Sequence, residues 1–166
     1  MALSYIGLGS NLGDSLSTLK EALGYLAKNP QVEVFKTSSF YRTAPVGFKE
    51  QDDFVNAVAM IKTTLSPLEL LDLLMQTEQE FKRVRLFKNG PRTLDLDILL
   101  YDDLILRDEP KLNVPHPRMC ERAFVLIPLK EIAPTLLIPG CNKSVSELCA
   151  SLSDADVKDV RLLDHA

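Results

Sequence analysis

The stretch GPRTLDLDILLYDDLIL, residues 90–106, places two aspartates inside a run of leucine and isoleucine that is otherwise typical of a β-strand. Residues two apart in a strand point to the same face, about 6.5 to 7 Å apart along the chain. Asp95 and Asp97 are therefore expected side by side, while the leucines and isoleucine that alternate with them face the other way. The segment predicts a strand over 94–101 with one acidic face and one core face.

The sequence before this strand alternates between strand and helix patterns. Period-2 alternation predicts strands, and apolar residues at helical spacing predict helices. In chain order, the predicted elements are strand 2–8, helix 16–26, strand 31–41, strand 54–62 and helix 67–81. Together with strand 94–101 they give the order β-α-β-β-α-β. This is the split βαβ order of a ferredoxin-like α+β sandwich, with helices on one face of the sheet.

The sequence after this strand predicts further elements on the same sandwich. Leu104 to Arg107 could pair with the preceding strand around Asp102-Asp103, and 118–132 and 144–152 have helical patterns. We therefore expect additional C-terminal strands and helices within a single domain over residues 1–166.

Composition excludes several classes of protein. The 166 residues are 46% hydrophobic and carry a net charge of -4, which favours one globular domain and argues against a general nucleic-acid binder. The apolar runs are far shorter than the ~20 residues that span a bilayer, and no secretory leader is evident, so we expect a cytoplasmic monomer with no membrane contact. The three cysteines, at 120, 141 and 149, lack CxxC spacing and are interpreted as reduced thiols.

Two interpretations of the acid pair remain open from the residues alone. Asp95 and Asp97 could simply form the wet face of a half-buried strand. However, aspartate is depleted in strands, and like charges on one face repel, so a partner is needed. Carboxylates at this spacing can hold two Mg²⁺ ions about 3.5 to 4 Å apart against a polyphosphate.

A basic cluster precedes the acid pair. Five of the eleven residues from Lys82 to Arg92 are lysine or arginine, and Gly90-Pro91 predicts a turn that brings them back over the acids. Arginine suits phosphate oxygens because its planar fork donates two hydrogen bonds. A solvated loop is the alternative, but the juxtaposition with two acids favours a metal-phosphate site.

The segment GLGSNLG, residues 7–13, invites comparison with a dinucleotide-binding fingerprint. Its third glycine comes one residue late for G-x-G-x-x-G, and the chain contains no P-loop pattern. We interpret these glycines as tight-turn residues.

Four further positions carry polar or aromatic side chains that a binding site could use. Phe54 and Asn56 share the face of their strand opposite the better core face, and a ring beside an amide suits a flat heterocycle. Glu78 lies near the apolar stripe of its helix and needs a partner, either Arg83 or a nucleotide group. His116 lies between prolines and could be structural or functional.

The stretch KNGPRTLDLDIL, residues 88–99, resembles the signature of the 6-hydroxymethyl-7,8-dihydropterin pyrophosphokinases. Each defined position of that signature is present. GLGSNLGD, SSFYRTAPVG, FVNA, RVR and VPHPRMCERAFVLIPLKEIAP extend the resemblance to about residue 140. It implies transfer of pyrophosphate from ATP to the pterin hydroxymethyl group, giving AMP and the pterin diphosphate of folate biosynthesis.

The resemblance also implies roles for individual residues. Asp95 and Asp97 would hold two Mg²⁺ ions, and Arg83 and Arg92 would act on the phosphates as the loops close. Further phosphate or nucleotide contacts would be Glu78, Arg85, Lys88, Lys111, His116 and Arg122. The pterin would be bound by Thr43, Ala44, Pro45, Val46, Phe54, Asn56 and Phe124.

Two departures from the family pattern are visible. Lys88-Asn89 stands where some members carry Arg-Trp, and Phe54 stands where some carry Tyr. A loop-sealing aromatic and a hydroxyl are lost, while ring stacking is kept. The rival interpretations are a ferredoxin-like module for single-stranded RNA, in which Phe54 would stack a base, and a D-x-D nucleotidyl or glycosyl transferase.

Overall fold

The sheet of the computed structural model, which describes residues 1–11, 15–43, 54–86, 93–108 and 112–163, is built outward from two long central strands. These are β1 and β4, which pair antiparallel from Ala2↔Thr63 to Asn11↔Phe54. The strands are β1 Ala2–Asn11, β2 Val32–Thr37, β3 Tyr41–Thr43, β4 Phe54–Thr63, β5 Thr93–Tyr101, β6 Leu106–Asp108, β7 Leu112–Val114 and β8 Arg161–Leu162. The helices are α1 Ser15–Ala27, α2 Pro67–Leu86, α3 Ala123–Ile132, α4 Val145–Ala150 and α5 Asp154–Asp159, with a 3-10 turn over Met119–Glu121.

The strand order is β5-β1-β4-β3-β8, with β2 also paired to β4. The order β5-β1-β4-β2 is that of a ferredoxin-like sheet, because each βαβ half contributes one central and one edge strand. The predicted α+β fold class is confirmed.

The single strand predicted over 31–41 is wrong, because the chain breaks at Ser38 into β2 and β3. Both strands pair antiparallel with β4, one after the other. At the break, the Ser38 N–H donates to the Val58 carbonyl at 2.8 Å, and the Ser38 hydroxyl oxygen accepts from the Val58 N–H at 2.9 Å. A side-chain oxygen thus replaces one backbone acceptor of the ladder, which lets the strand turn without leaving a buried N–H unpaired.

The sheet is covered by helices on both faces. On one face, Leu19 of α1 and Leu70 and Leu74 of α2 pack on the alternating apolar residues of β1, β4 and β5. On the other face, Leu126 and Leu129 of α3 pack on a second set from the same strands. The sequence predicted helices on one face; the later helices build a second layer on the other face.

Several local predictions are corrected by the structure. β6 pairs with β7 in a separate two-stranded sheet instead of with β5. The helix predicted over 67–81 continues to Leu86, so Arg83 and Arg85 belong to a helix and not to a loop. The helix predicted over 118–132 is a 3-10 turn followed by α3, and neither α5 nor β8 was predicted. Within the described residues, no helix is long and apolar enough to cross a bilayer.

Candidate active site

The register of the central strands places the acid pair of β5 and Asn56 of β4 on either side of two glycines of β1. β1 lies between β5 and β4, with Gly9 opposite Asp95 on one side and opposite Asn56 on the other. Gly7 lies opposite Asp97 in the same ladder. Since directly opposed residues project from the same face of a sheet, the acids and Asn56 flank a strip of bare backbone.

The interpretation of these glycines as tight-turn residues is therefore wrong for Gly7 and Gly9, which lie inside β1. A Cβ at Gly9 would stand 3.0 Å from Asn56 Oδ1, and one at Gly7 would stand 3.4 Å from a Leu99 methyl carbon. Glycine inside a strand often marks a place where another group must approach the backbone closely. Here the missing side chains leave open the space between Asp95 and Asn56.

A cavity of about 610 Å³ lies over this strip. Its volume is within the range of ~300 to 1,000 Å³ that is typical of small-molecule sites. It collects many of the side chains that the sequence singled out: Thr43, Phe54, Asn56, Glu78, Asp95, Asp97, Arg122 and Phe124.

One wall of the cavity is made by β3 and β4. Asn56 and Thr43 are 7% and 5% exposed, and the Asn56 amide donates from Nδ2 to Thr43 Oγ1 at 2.9 Å. Buried amides need such a partner, and this one fixes the orientation of the Asn56 side chain. Thr43 lies opposite Phe54 in the ladder, so a ring and a fixed amide share this wall.

A second part of the cavity lining comes from the start of α3. Arg122 is the residue just before the helix, and its guanidinium lies 5.5 Å from the centroid of the Phe124 ring. That distance allows a cation–π contact, which holds the ring and leaves guanidinium donors available. Phe54 and Phe124 therefore line one cavity from different elements.

Glu78 of α2 has a backbone partner. Its Oε2 accepts a hydrogen bond of 2.8 Å from the N–H of Leu96, the residue between the two aspartates. β5 is an edge strand of the sheet, so this N–H points away from β1 and would otherwise lack a ladder partner. The carboxylate thus ties α2 to the acid pair, and its predicted contact with a nucleotide remains a prediction.

His116 lies at the edge of the same region. Its N–H donates to the Leu99 carbonyl at 2.9 Å, and its Nδ1 accepts from the Arg118 N–H at 3.2 Å. Burial lowers the pKa of His116, Arg122 and Arg118 lower it further, and Asp97 opposes them. The imidazole is therefore neutral near pH 7, with its proton on Nε2, because Nδ1 is an acceptor.

Other predicted site residues cannot be placed in the cavity. Arg83 and Arg85 lie on the last turns of α2, and the described structure gives only their backbone. The predicted residues outside the described ranges are Ala44, Pro45, Val46, Lys88, Arg92 and Lys111. Their assigned roles remain predictions.

Sequence reasoning missed several residues that line the cavity. Arg118 and Glu121 come from the segment before α3, and Asp156 and Asp159 come from α5. Arg118 is in the quoted VPHPRMCER motif and could have been noticed beside His116. Nothing in the local sequence of α5 signals the site, because β8 brings that segment to the cavity by pairing with β3.

The acid pair fits a magnesium site that is shared with a substrate. Asp95 and Asp97 are both exposed and both line the cavity. Mg²⁺ in phosphate-transfer sites takes one or two protein carboxylates and completes its shell with phosphate oxygens and water. Two adjacent aspartates on the wall of a substrate-sized cavity supply that donor set.

Comparisons with known proteins converge on one family. Residues 5–134 match the model of the 7,8-dihydro-6-hydroxymethylpterin-pyrophosphokinase (HPPK) family. The 2-amino-4-hydroxy-6-hydroxymethyldihydropteridine pyrophosphokinase of Haemophilus influenzae is 46% identical over 154 residues, which cover 93% of this chain and 95% of that protein. The Bacillus subtilis enzyme of the same name is 50% identical over 130 residues, 78% of this chain and 77% of that protein.

Solved structures agree on the fold. The Plasmodium falciparum HPPK-DHPS matches with a TM-score of 0.75 at 14% identity, over 98% of this chain and 47% of that chain. This chain thus spans about half the length of that solved protein. At such low identity, the match supports the fold alone.

Proposed function

Because the chain belongs to the 7,8-dihydro-6-hydroxymethylpterin-pyrophosphokinase family, it is a pyrophosphokinase of folate biosynthesis that uses ATP, and we propose how its cavity performs the transfer. The pterin occupies the space between Phe54 and Phe124, and the ATP phosphates lie over Asp95 and Asp97. One observation carries this assignment. The acid pair and both rings line the same cavity.

The pterin is held by stacking and by an oriented amide. Phe54 and Phe124 supply rings to one cavity from different elements, and the Thr43 hydroxyl fixes the Asn56 amide, which reads the edge of the heterocycle in our proposal. Residues 44–46, which directly follow Thr43, continue this wall in our proposal. A site of this kind recognises a flat, polar-edged ring because a fixed amide offers both a donor and an acceptor.

The phosphates are held by charge. Asp95 and Asp97 bind two Mg²⁺ ions, which when bound neutralise phosphate oxygens and orient the chain of phosphates. Arg83 and Arg92 close on the transferring group, and Arg85, Lys88, Lys111, His116 and Arg122 contact phosphate or nucleotide. Glu78 fixes the backbone between the two aspartates through Leu96 and lies where α2 meets the nucleotide.

In the reaction, the hydroxymethyl oxygen of the pterin attacks the β-phosphorus of ATP. The bond between the β-phosphorus and the oxygen that bridges it to the α-phosphate breaks, AMP leaves, and the hydroxymethyl proton is lost to solvent. Rate enhancement of this kind comes from positioning and charge neutralisation and requires no covalent nucleophile.

The first prediction tests the acid pair. Asp95→Ala and Asp97→Ala should each lower turnover by a factor on the order of 10² or more, because much of the charge stabilisation is removed. The fold should persist, since the exposed carboxylates repel each other. AMP release from Mg-ATP and the hydroxymethyl dihydropterin measures turnover, and circular dichroism checks folding.

Asp103→Ala is the matched control, because Asp103 is an exposed aspartate in the turn after the same strand and does not line the cavity. It should leave AMP release unchanged. Near-native turnover of either cavity variant would overturn the metal assignment, and ADP as the product would overturn the transfer itself.

A further inference from the structure

One wall of the proposed pterin site depends in part on β3, a strand of only three residues. β3 pairs with β4 on one side and with β8 on the other, and Tyr41 lies opposite both Asn56 and Leu162. Thr43, at the end of β3, is the residue that orients Asn56. A small displacement of β3 would therefore move this wall of the cavity.

One carboxylate, that of Glu131, accepts hydrogen bonds from Ser39 and Tyr41 at the start of β3, which we call the β3 corner. Its Oε1 accepts from the Ser39 N–H at 2.9 Å and from the Tyr41 hydroxyl at 2.7 Å. Its Oε2 accepts from the same N–H at 3.1 Å and from the Ser39 hydroxyl at 2.8 Å. Hydrogen bonds to an ionised acceptor are about twice as strong as neutral ones, so this cluster is a specific tie between α3 and β3.

The position of Glu131 is not explained by the stability of its own helix. It lies in the last turn of α3, where a negative charge opposes the helix dipole. It is also exposed, and fixing an exposed glutamate side chain costs conformational entropy. The four contacts to the β3 corner offset both costs. Burial and Glu131 also raise the pKa of Tyr41, so the phenol keeps its proton as the donor.

The same helix also contributes Phe124 to the cavity lining. Phe124 and Glu131 are seven residues apart, which is about two helical turns, so they project from the same side of α3. Phe124 lines the cavity and Glu131 contacts the β3 corner. Because both residues lie on one ten-residue helix, holding its last turn against β3 constrains the position of its first turn.

We propose that Glu131 is a positioning residue that sets the separation between Phe124 on α3 and the Thr43–Asn56 wall on β3 and β4. Its effect should be larger on the pterin than on the ATP phosphates, because β3 carries no part of the acid pair and Arg122, at the start of α3, is one of several proposed phosphate contacts. This inference rests on the pterin contacts proposed above.

The test compares Glu131→Gln with Glu33→Gln, which removes an exposed carboxylate of β2 that does not line the cavity. Calorimetric titrations with 6-hydroxymethylpterin are made in the presence of Mg²⁺ and a non-transferable ATP analogue. A glutamine offers one acceptor oxygen in place of two, so Glu131→Gln should weaken pterin binding about tenfold. Its affinity for the ATP analogue should fall by less than its pterin affinity, and both affinities of Glu33→Gln should match the parent protein.

Tyr41→Phe provides a second route to the same contact and removes only one hydroxyl. It should weaken pterin binding less than Glu131→Gln, and the double variant should lose less than the two single losses combined, because both act through one contact. Unchanged pterin affinity in Glu131→Gln, or an equal loss of pterin and ATP-analogue affinity, would overturn the proposal.

Asn56→Ala separates this inference from the site assignment. If Asn56→Ala leaves pterin affinity intact, the pterin contacts themselves are wrong and the inference fails with them. If Asn56→Ala weakens pterin binding and Glu131→Gln does not, only the positioning role fails.

Discussion

The site requires a residue without a side chain at position 9. The Asn56 amide oxygen lies where a methyl group on Gly9 would be only 3.0 Å away, and Asp95 lies opposite Gly9 on the next strand. The φ angle of Gly9 is not in the positive range that favours glycine. Glycine is therefore needed here for the space it leaves and not for its backbone conformation.

Gly9→Ala should therefore weaken pterin binding by about tenfold or more, because the new methyl group displaces the Asn56 amide from its Thr43 partner. Gly24→Ala is the matched control. A Cβ at Gly24 meets nothing within 4 Å, and alanine in an exposed helix is favoured over glycine by about 1 kcal/mol. Calorimetry measures binding and urea unfolding measures stability. Equal pterin affinity in both variants would contradict the role assigned to Gly9.

Among the elements, α2 connects the hydrophobic core with the acid pair. One of its faces packs on the sheet, Glu78 contacts the backbone between the aspartates, and the last turns carry Arg83 and Arg85. The position of the acid pair and of the basic residues therefore depends on how firmly α2 is seated on the sheet.

Comparing Leu74→Ala with Met75→Ala tests which face of α2 contributes to stability. Leu74 is 0% exposed and packs in the core, whereas Met75 is 53% exposed. Leu74→Ala should lower the free energy of unfolding by about 2 to 5 kcal/mol, through lost burial and the cavity it leaves. Met75→Ala should change it by no more than about 0.5 kcal/mol. Urea unfolding of both variants tests this, and similar losses would mean that the helix faces are misassigned.

For the molecule as a whole, the described lining of the cavity is strongly acidic. It contains six carboxylates, from Glu78, Asp95, Asp97, Glu121, Asp156 and Asp159, and two guanidinium groups, from Arg118 and Arg122. Such a lining repels free ATP and accepts it with Mg²⁺, because the metal neutralises both sides. The uncharged pterin has no comparable electrostatic requirement, but in the proposed site it shares the cavity with the acid pair.

We expect Mg-ATP to bind before the pterin and to increase pterin affinity. In the proposed site, bound Mg-ATP would fill the acidic part of the cavity and supply a surface against which the pterin packs. A coupling of ~1 to 3 kcal/mol, roughly 5- to 150-fold, is therefore expected. Calorimetric titration of pterin with and without Mg²⁺ and a non-transferable ATP analogue measures it. Mg²⁺ alone is the control and should give little of the increase. Identical pterin affinity in all three titrations would remove the basis for this order.

Much of the fold could be predicted from local patterns. Alternation along 94–101 and 54–62 identified one core face of each strand, and the leucines of α1 and α2 identified the helices. This alternation did not predict the second core on the other face, which buries Val58, Met60 and Leu99. Elements that depend on distant pairing were missed. β8 forms only where β3 offers an open edge, and the break at Ser38 depends on a contact with Val58.

The sequence by itself determined which site residues share a face of their strand, because side-chain direction in a strand follows a period of two residues. It therefore placed Asp95 beside Asp97 and Phe54 beside Asn56. The tertiary structure alone decided that these pairs share one cavity, that Gly7 and Gly9 lie between them, and that Glu131 contacts the β3 corner. The physical reason is that strand register and helix packing depend on burial over the whole sheet. The spacing of residues within one segment does not determine that burial.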